Sequence, residues 1–312
     1  MGSRIVVAGV ASLAVHLAVD GFPVRYAPVS TPAWIDAGLG GAGAQIAAIL
    51  RHLGDDVDLC SIVGTDGAGE LVRAQLRAVG LDGPGVIEGT GSSQTVVLVA
   101  PDGKRMVYPH LAVVNAVGYP ESRFAQALAG ADLAVLTNAG FVRELLPAAV
   151  LKGVPVAVDV NVIADINEVY HQPWLDVADI IFCSGERLPC PAPTWIAQVL
   201  TRHPGAAMAA VGCGPRGSVL GLRDGRLVTA AAVAPLGVRN TSSAGDSLFA
   251  AFLHSWLATG NPVEALSDAV VFAGWRVGHR QPTSVLLSGR ELAQLRLRHP
   301  VRISVGWWDQ GG

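Results

Sequence analysis

The sequence predicts an α/β fold of three αβα layers around a mostly parallel central sheet. From Leu133 onward, short apolar runs alternate with stretches of helical periodicity. Strands buried on both faces and joined by crossover helices need this rhythm. Each run ends in small or polar residues: Thr137-Asn138, Asp159-Val160-Asn161, Ser184-Gly185-Glu186 and Gly212-Cys213-Gly214. Ligands of open α/β sheets bind at such strand ends. Finally, the polar octapeptide Asn240-Thr241-Ser242-Ser243-Ala244-Gly245-Asp246-Ser247 leads into the apolar run Leu248–Leu253. That is a helix N-terminus, with Thr241, Ser242 or Ser243 as the expected cap.

In chain order, Ile5–Gly9 reads as a buried strand, and Val24–Asp36, broken by prolines, as edge strands and loops. Gly40-Gly41 opens a helix that stops at Gly54. Asp56–Val63 is a strand, and Glu70–Val79 a helix. Ser93–Ala100 and Lys104–Tyr108, joined by Asp102-Gly103, form a hairpin on which Arg105 reads as a surface residue or a ligand contact. Strands at Leu133–Leu136, Pro155–Val158, Ile180–Cys183 and Ala207–Val211 alternate with helices at Phe141–Leu151 and Thr194–Arg202. A hairpin, Ser218–Leu222 with Leu227–Ala231, closes the sheet. Helices end the chain: one to Gly260, one over Val263–Val277, and one over Glu291–Arg298. Trp307-Trp308 lies in a polar tail that either packs back or moves freely.

With 312 residues, 51% hydrophobic and 15% charged, the chain can bury a sizeable core. No linker or repeat divides it, so 1–312 reads as one domain. A net charge of -3 supports neither nucleic-acid nor anionic-membrane binding. Cys60, Cys183, Cys190 and Cys213 lack metal-ligand spacing and read as buried reduced thiols. The first residues lack a signal-peptide pattern, and no apolar run reaches the ~18–20 residues of a membrane span. A cytoplasmic protein is expected.

The chemistry concentrates at Asp246. The first turn of a helix carries unpaired N–H groups and partial positive charge. Small residues at Ser243, Ala244 and Gly245 let an anion approach those amides. Asp246 adds a carboxylate beside the anion. Such a pair suits phosphoryl transfer to a hydroxyl, the amides holding the phosphoryl group and the carboxylate accepting the proton. An acid that only stabilises the helix terminus is the alternative.

The octapeptide resembles the Asp-Thr-x-Gly-Ala-Gly-Asp signature of the ribokinase (PfkB) family of carbohydrate and nucleoside kinases. Gly40-Gly41-Ala42-Gly43-Ala44-Gln45 resembles that family's Gly-Gly-x-x-x-Asn, and Gly212-Cys213-Gly214-Pro215-Arg216-Gly217 its nucleotide turn. The resemblance spans nearly the whole chain. It implies a ribokinase-like sandwich with a small β lid from segments about 11–38 and 85–110. It makes Asp246 the catalytic base and Ser243, Ala244 and Gly245 the anion hole. Gly212, Gly214, Arg216, Gly217, Thr241 and Ser184 would meet ATP. Gly40, Gly41, Gln45, Ser12, Asn138 and Asp246 would meet the acceptor, with Mg2+ near Glu186 through water.

Departures are plain. Asn240 stands for Asp, Ser243 for Gly and Gln45 for Asn. Ser12 and Ala14 replace an Asn-x-Asp pair, and Glu186 is shifted by one residue from an Asn-x-x-Glu motif. Gln281 replaces a Gly near the family's monovalent-cation site, which argues against that ion. The expected function is ATP-dependent phosphorylation of a hydroxyl, in particular a hydroxymethyl, of a sugar or sugar-containing molecule. A nucleoside kinase and a catalytically weakened binding protein are the alternatives. A homodimer through the lid is the assembly considered.

Overall fold

The computed structural model describes residues 2–308 and contains a ten-stranded body sheet and a four-stranded lid sheet. β1 (Arg4–Ala8) sends Ile5 and Val7 into one core and Val6 and Ala8 into the other, so both sheet faces are covered. The chain then leaves the body as the antiparallel pair β2 (Ser12–Ala18) and β3 (Ile35–Gly40). Of the edge strands and loops expected over Val24–Asp36, the edge strand begins only at Ile35, with β3, and the rest is loop. Residues 19–34 form no strand, because Pro23, Pro28 and Pro32 offer no N–H to a ladder.

α1 (Ala42–Leu53) returns the chain to the body and ends at Gly54, φ 120°. β4 (Asp56–Gly64) follows, then α2 (Gly67–Ala78), whose first turn is capped by Asp66 accepting from Gly69 N–H at 2.8 Å. The short β5 (Val86–Gly89) extends the body edge parallel to β4. β6 (Ser93–Val99) and β7 (Arg105–His110) make the predicted hairpin. Because β6 also pairs parallel with β2, the lid order is β3-β2-β6-β7.

The helices α3 (Ala112–Asn115) and α4 (Glu121–Ala127) precede β8 (Leu133–Thr137). The single helix predicted over Phe141–Leu151 is two, α5 (Gly140–Arg143) and α6 (Leu146–Lys152). Pro147 has no N–H to continue a ladder but suits the first turn of a new helix. β9 (Val156–Val162), α7 (Gln172–Val177), β10 (Ile180–Ser184), α8 (Ala192–Arg202) and β11 (Met208–Gly212) complete the alternation. The hairpin β12 (Ser218–Leu222) and β13 (Arg226–Ala230) follows. Then come α9 (Ala244–Thr259), α10 (Pro262–Arg276), α11 (Gly289–Arg298) and β14 (Ile303–Trp307). The tryptophan tail packs back: Trp307 lies in β14, and Trp308 Nε1 donates to Leu222 O at 2.6 Å.

β5, β4, β1, β8, β9, β10 and β11 run parallel in that order, and β12, β13 and β14 are antiparallel at one edge. One face buries Ile49 and Leu50 of α1 with Phe249, Phe252 and Phe272, and the other buries Phe124, Trp174 and Trp195. Phe182 of β10 meets Phe249 and Phe252 at ring-centroid distances of 4.8 and 5.0 Å. Each such ring contributes about 1.5–3 kcal/mol on burial, so α9 is held firmly across the sheet. That anchoring sets its N-terminus at the carboxyl ends of the parallel strands.

Among the described residues no helix is long and apolar enough to cross a membrane. All four cysteines are free. Cys60 and Cys183 are buried as expected, but Cys190 and Cys213 lie in irregular segments and are only partly covered.

Candidate active site

Asp246 lies in the first turn of α9. Burial raises its pKa, while the Ser243 hydroxyl and the guanidinium groups of Arg276 and Arg105 pull it back down. A second carboxylate faces the same turn. A Cβ placed on Gly245 would stand 4.0 Å from Asp159 Oδ2, at the end of β9. Burial, and then the charge of Asp246, push Asp159 up to about 7, against the Asn161 N–H that it accepts at 2.8 Å. Two carboxylates crowding one helix end cannot both ionise freely.

The cap of α9 departs from expectation. Ser243 occupies the N-cap position in the left-handed region, φ 56° and ψ 21°, and makes no side-chain cap bond. A bonded cap would engage first-turn amides. Here Gly245 stays exposed. Ala244 is different, since its N–H already donates to Thr241 O at 3.3 Å. The cradle is therefore narrower than the three amides expected.

Asn240 is fully buried. Its Oδ1 accepts from Ser242 N–H at 2.9 Å, and its Nδ2 donates to Arg280 O at 2.9 Å and lies 3.4 Å from His16 Nδ1. A carboxylate at 240 could not donate those bonds.

Thr241, expected at the nucleotide, is tied to the lid. Its hydroxyl donates to Gly103 O at 2.9 Å and accepts from Arg105 Nη1 at 3.1 Å. Arg105 also lies 3.5 Å from Glu186 Oε1. The hairpin arginine therefore points into the site, which its local sequence did not reveal.

The turn predicted to meet the nucleotide follows β11 directly. Gly214–Arg216 is a single 3-10 turn, with Gly214 at φ 56° and Gly217 at φ 91°. A Cβ on Gly217 would collide with Ala230 O, so only glycine fits between this turn and the end of β13. Gly185 N–H donates to Gly212 O at 2.8 Å, which seats Ser184 and Glu186 beside the turn. Arg216 and Glu186 are exposed.

Of the residues expected at the acceptor, Gly40 and Gly41 join the lid to α1. Gly41 has φ 87°, and a Cβ there would overlap Val10 O. Ser12 is buried with its hydroxyl 3.5 Å from that of Thr95. Asn138 donates to Val160 O at 3.0 Å and accepts from Asn161 Nδ2 at 2.8 Å.

Gln45 requires a correction as a substrate contact. It is 1% exposed, donates from Nε2 to Leu39 O at 2.7 Å and accepts from Arg276 Nη2 at 2.6 Å. The inward face of α1 turns it into the core, and its amide is consumed there. Arg276, which sequence reasoning missed, also donates to Ser247 Oγ at 3.0 Å and Val285 O at 3.1 Å. Burial pushes its pKa down to about 10, opposed by Asp246. An arginine ending a helix looks like ordinary dipole compensation, so no local signal marks it.

Among the described residues no cluster of three His, Cys, Asp or Glu side chains could hold a metal alone. Magnesium carried by phosphates needs only one or two carboxylates. Glu186 is an exposed carboxylate beside the predicted nucleotide turn, and Asp159 ends β9 next to the first turn of α9.

The pfkB family carbohydrate kinase profile matches residues 3–288. An ATP-dependent ribose-1-phosphate kinase of Halopiger xanaduensis is 28% identical over 273 residues, covering 85% of this chain and 89% of its own. A microbiome-derived acarbose kinase superposes with TM-score 0.82 at 21% identity, over 96% of this chain and 100% of its own. Arabidopsis thaliana ribokinase, complexed with ribose and ATP, gives TM-score 0.73 at 21% identity over 95% and 99%. Burkholderia thailandensis nucleoside kinase, complexed with inosine, gives 0.73 at 16% identity over 95% and 98%. The chain belongs to the pfkB family of carbohydrate kinases, phosphotransferases that use an alcohol group as acceptor.

Proposed function

We propose that the chain, working as one kinase unit, transfers the γ-phosphoryl group of ATP to a hydroxymethyl group of a sugar or sugar-containing molecule. The observation that carries this reading is Asp246 in the first turn of α9, beside the exposed Gly245. Asp246 accepts the hydroxyl proton, and the first-turn amides of α9 balance charge on the phosphoryl oxygens. The turn at Gly212, Gly214, Arg216 and Gly217, with Ser184 beside it, receives the nucleotide. Ser12, Gly40, Gly41 and Asn138 border the acceptor. Magnesium bound with the nucleotide supplies neutralising charge, and Glu186 and Asp159 are the residues that would hold it.

The relative from Halopiger xanaduensis supports a phosphorylated pentose among the acceptors to be tried. A nucleoside acceptor is the second reading, favoured by Ala14, which puts a methyl group on the lid where a hydroxyl-binding acid would stand. The outer lid face exposes Ile35, Val96, Met106 and Tyr108, which supports dimerisation there and is tested by sedimentation. We place the protein in the cytoplasm, a setting compatible with its free cysteines.

The test measures ADP release from ATP and magnesium over ribose 1-phosphate, pentoses, hexoses and nucleosides, for wild type and Asp246→Asn. Turnover confined to one acceptor class, falling about 100-fold or more in the variant, is expected. A protein stabilised thermally by an acceptor, yet releasing no ADP, would instead be a binder.

A further inference from the structure

Arg276 ends α10 wholly out of solvent, and its guanidinium is held by bonds to neutral oxygens alone. Nε donates to Val285 O at 3.1 Å, Nη1 to Ser247 Oγ at 3.0 Å and Nη2 to Gln45 Oε1 at 2.6 Å. Among the described residues no carboxylate lies within ion-pair distance of it. A buried charge without a contacting counter-charge is costly, and apolar side chains of similar shape would join α1, α9 and α10 as well or better. Packing alone does not explain a cation here. Its surroundings do. Ser247, which accepts from Nη1, donates in turn to Ser243 O at 2.6 Å, so the guanidinium is linked to the N-cap of α9. Asp246, the neighbour of Ser247, is the anion whose charge Arg276 feels. Asp159 faces the same turn from β9, and Arg105 adds its charge from the lid. Arg276 thus stands behind the first turn of α9, on the core side, while Gly245 meets solvent. A cation sealed from water keeps its field, because little solvent screens it.

We propose, resting on the kinase reading above, that Arg276 is a positioning residue, a permanent buried cation that reinforces the positive N-terminus of α9 from behind and balances the anions gathered in front of it. It touches no reactant and exchanges no proton. In the transfer, the acceptor hydroxyl oxygen bonds to phosphorus, and the bond from phosphorus to the β–γ bridging oxygen breaks. The leaving oxygen keeps the electron pair as part of ADP, and the hydroxyl proton passes to Asp246. Throughout, the phosphoryl oxygens lie near two carboxylates, Asp246 and Asp159. The guanidinium offsets that crowding of negative charge, and because Val285, Ser247 and Gln45 fix it in place, it does so without reorganising. The same bonds set shape. Arg276 orients Ser247, and Ser247 holds Ser243 O, which steadies the left-handed entry of α9.

The experiment compares wild type with two neutral forms, Gln45→Leu/Arg276→Met and Arg276→Gln, and with Arg276→Lys, which keeps the charge. Calorimetric titration measures affinity for Mg·ADP and for a non-hydrolysable Mg·ATP analogue, and kcat is read with whichever acceptor is turned over. In the neutral forms the ratio of ATP-analogue to ADP affinity is expected to fall by at least about 5-fold and kcat by about 10-fold or more, with ADP affinity kept within about 3-fold. Arg276→Lys should stay within about 3-fold of wild type on both. A folded neutral form that keeps the ratio and kcat within about 3-fold shows that Arg276 is scaffold only, and the proposal falls alone. An Arg276→Lys that is folded yet falls as far as the neutral forms overturns it equally. If no acceptor is turned over, the affinity ratio decides. A wild type that binds neither nucleotide overturns the kinase reading itself. Thermal unfolding checks that each variant is folded. The double variant, which leaves no amide facing a missing guanidinium, carries the comparison if Arg276→Gln is not.

Discussion

Arg276 Nη2 donates to Gln45 Oε1 at 2.6 Å, joining residues 231 positions apart, both out of solvent. Gln45 thereby serves two groups at once, accepting from Arg276 and donating to Leu39 O. Hydrogen bonds to a buried charge are worth about 1.5–3 kcal/mol, and an orphaned partner adds its desolvation penalty. Gln45→Leu should therefore lose about 3 kcal/mol in chemical denaturation. A loss under about 0.5 kcal/mol would show that Arg276 finds other partners.

Asp159 predicts a pH dependence with a definite sign. Its folded pKa of about 7 exceeds its ordinary 3.8, so its contribution to stability is complete below about pH 4 and is lost as pH rises through 7. Asp159→Asn keeps the oxygen that accepts from Asn161 N–H and cannot ionise. Without nucleotide, its melting temperature should match wild type near pH 4 and exceed it above pH 7. Parallel curves across that range would contradict the assignment.

Ser243 holds a positive φ at the entrance of α9. A non-glycine residue there costs roughly 1–2 kcal/mol, partly offset by the greater freedom glycine has when unfolded. Ser243→Gly should stabilise the protein by about 0.5–1 kcal/mol. It also removes a hydroxyl that lowers the Asp246 pKa. The acid limb of the kcat/KM profile should then move to higher pH, since the base must be ionised to act.

Gly41 is constrained twice, by φ 87° and by the approach of Val10 O. Gly41→Ala should cost about 2–3 kcal/mol and displace the lid from α1. The check is denaturation together with acceptor KM, which should rise more than the KM for ATP.

Much of this molecule was legible in the chain. The alternation after Leu133 predicted the parallel sheet, the octapeptide placed Asp246 in the first turn of a helix, and Asp102-Gly103 marked the lid hairpin. Each signal is local: buried strands need apolar runs, and helix entries need small polar residues. The misreadings have physical causes too. Prolines at 23, 28 and 32 kept residues 19–34 out of any ladder, and Pro147 divided one helix into two.

By itself, the sequence determined the layer order and the identity of the carboxylate in the first turn of α9, because both follow from periodicity and backbone preference over a few residues. Only the tertiary structure decided the partners of the charged groups. Arg105 meets Thr241 across 136 positions, and Gln45 turns from a predicted acceptor contact into the partner of a buried Arg276. Whether a polar side chain faces ligand or core depends on which distant groups satisfy it after burial, and an unpaired buried charge is too costly to leave to chance.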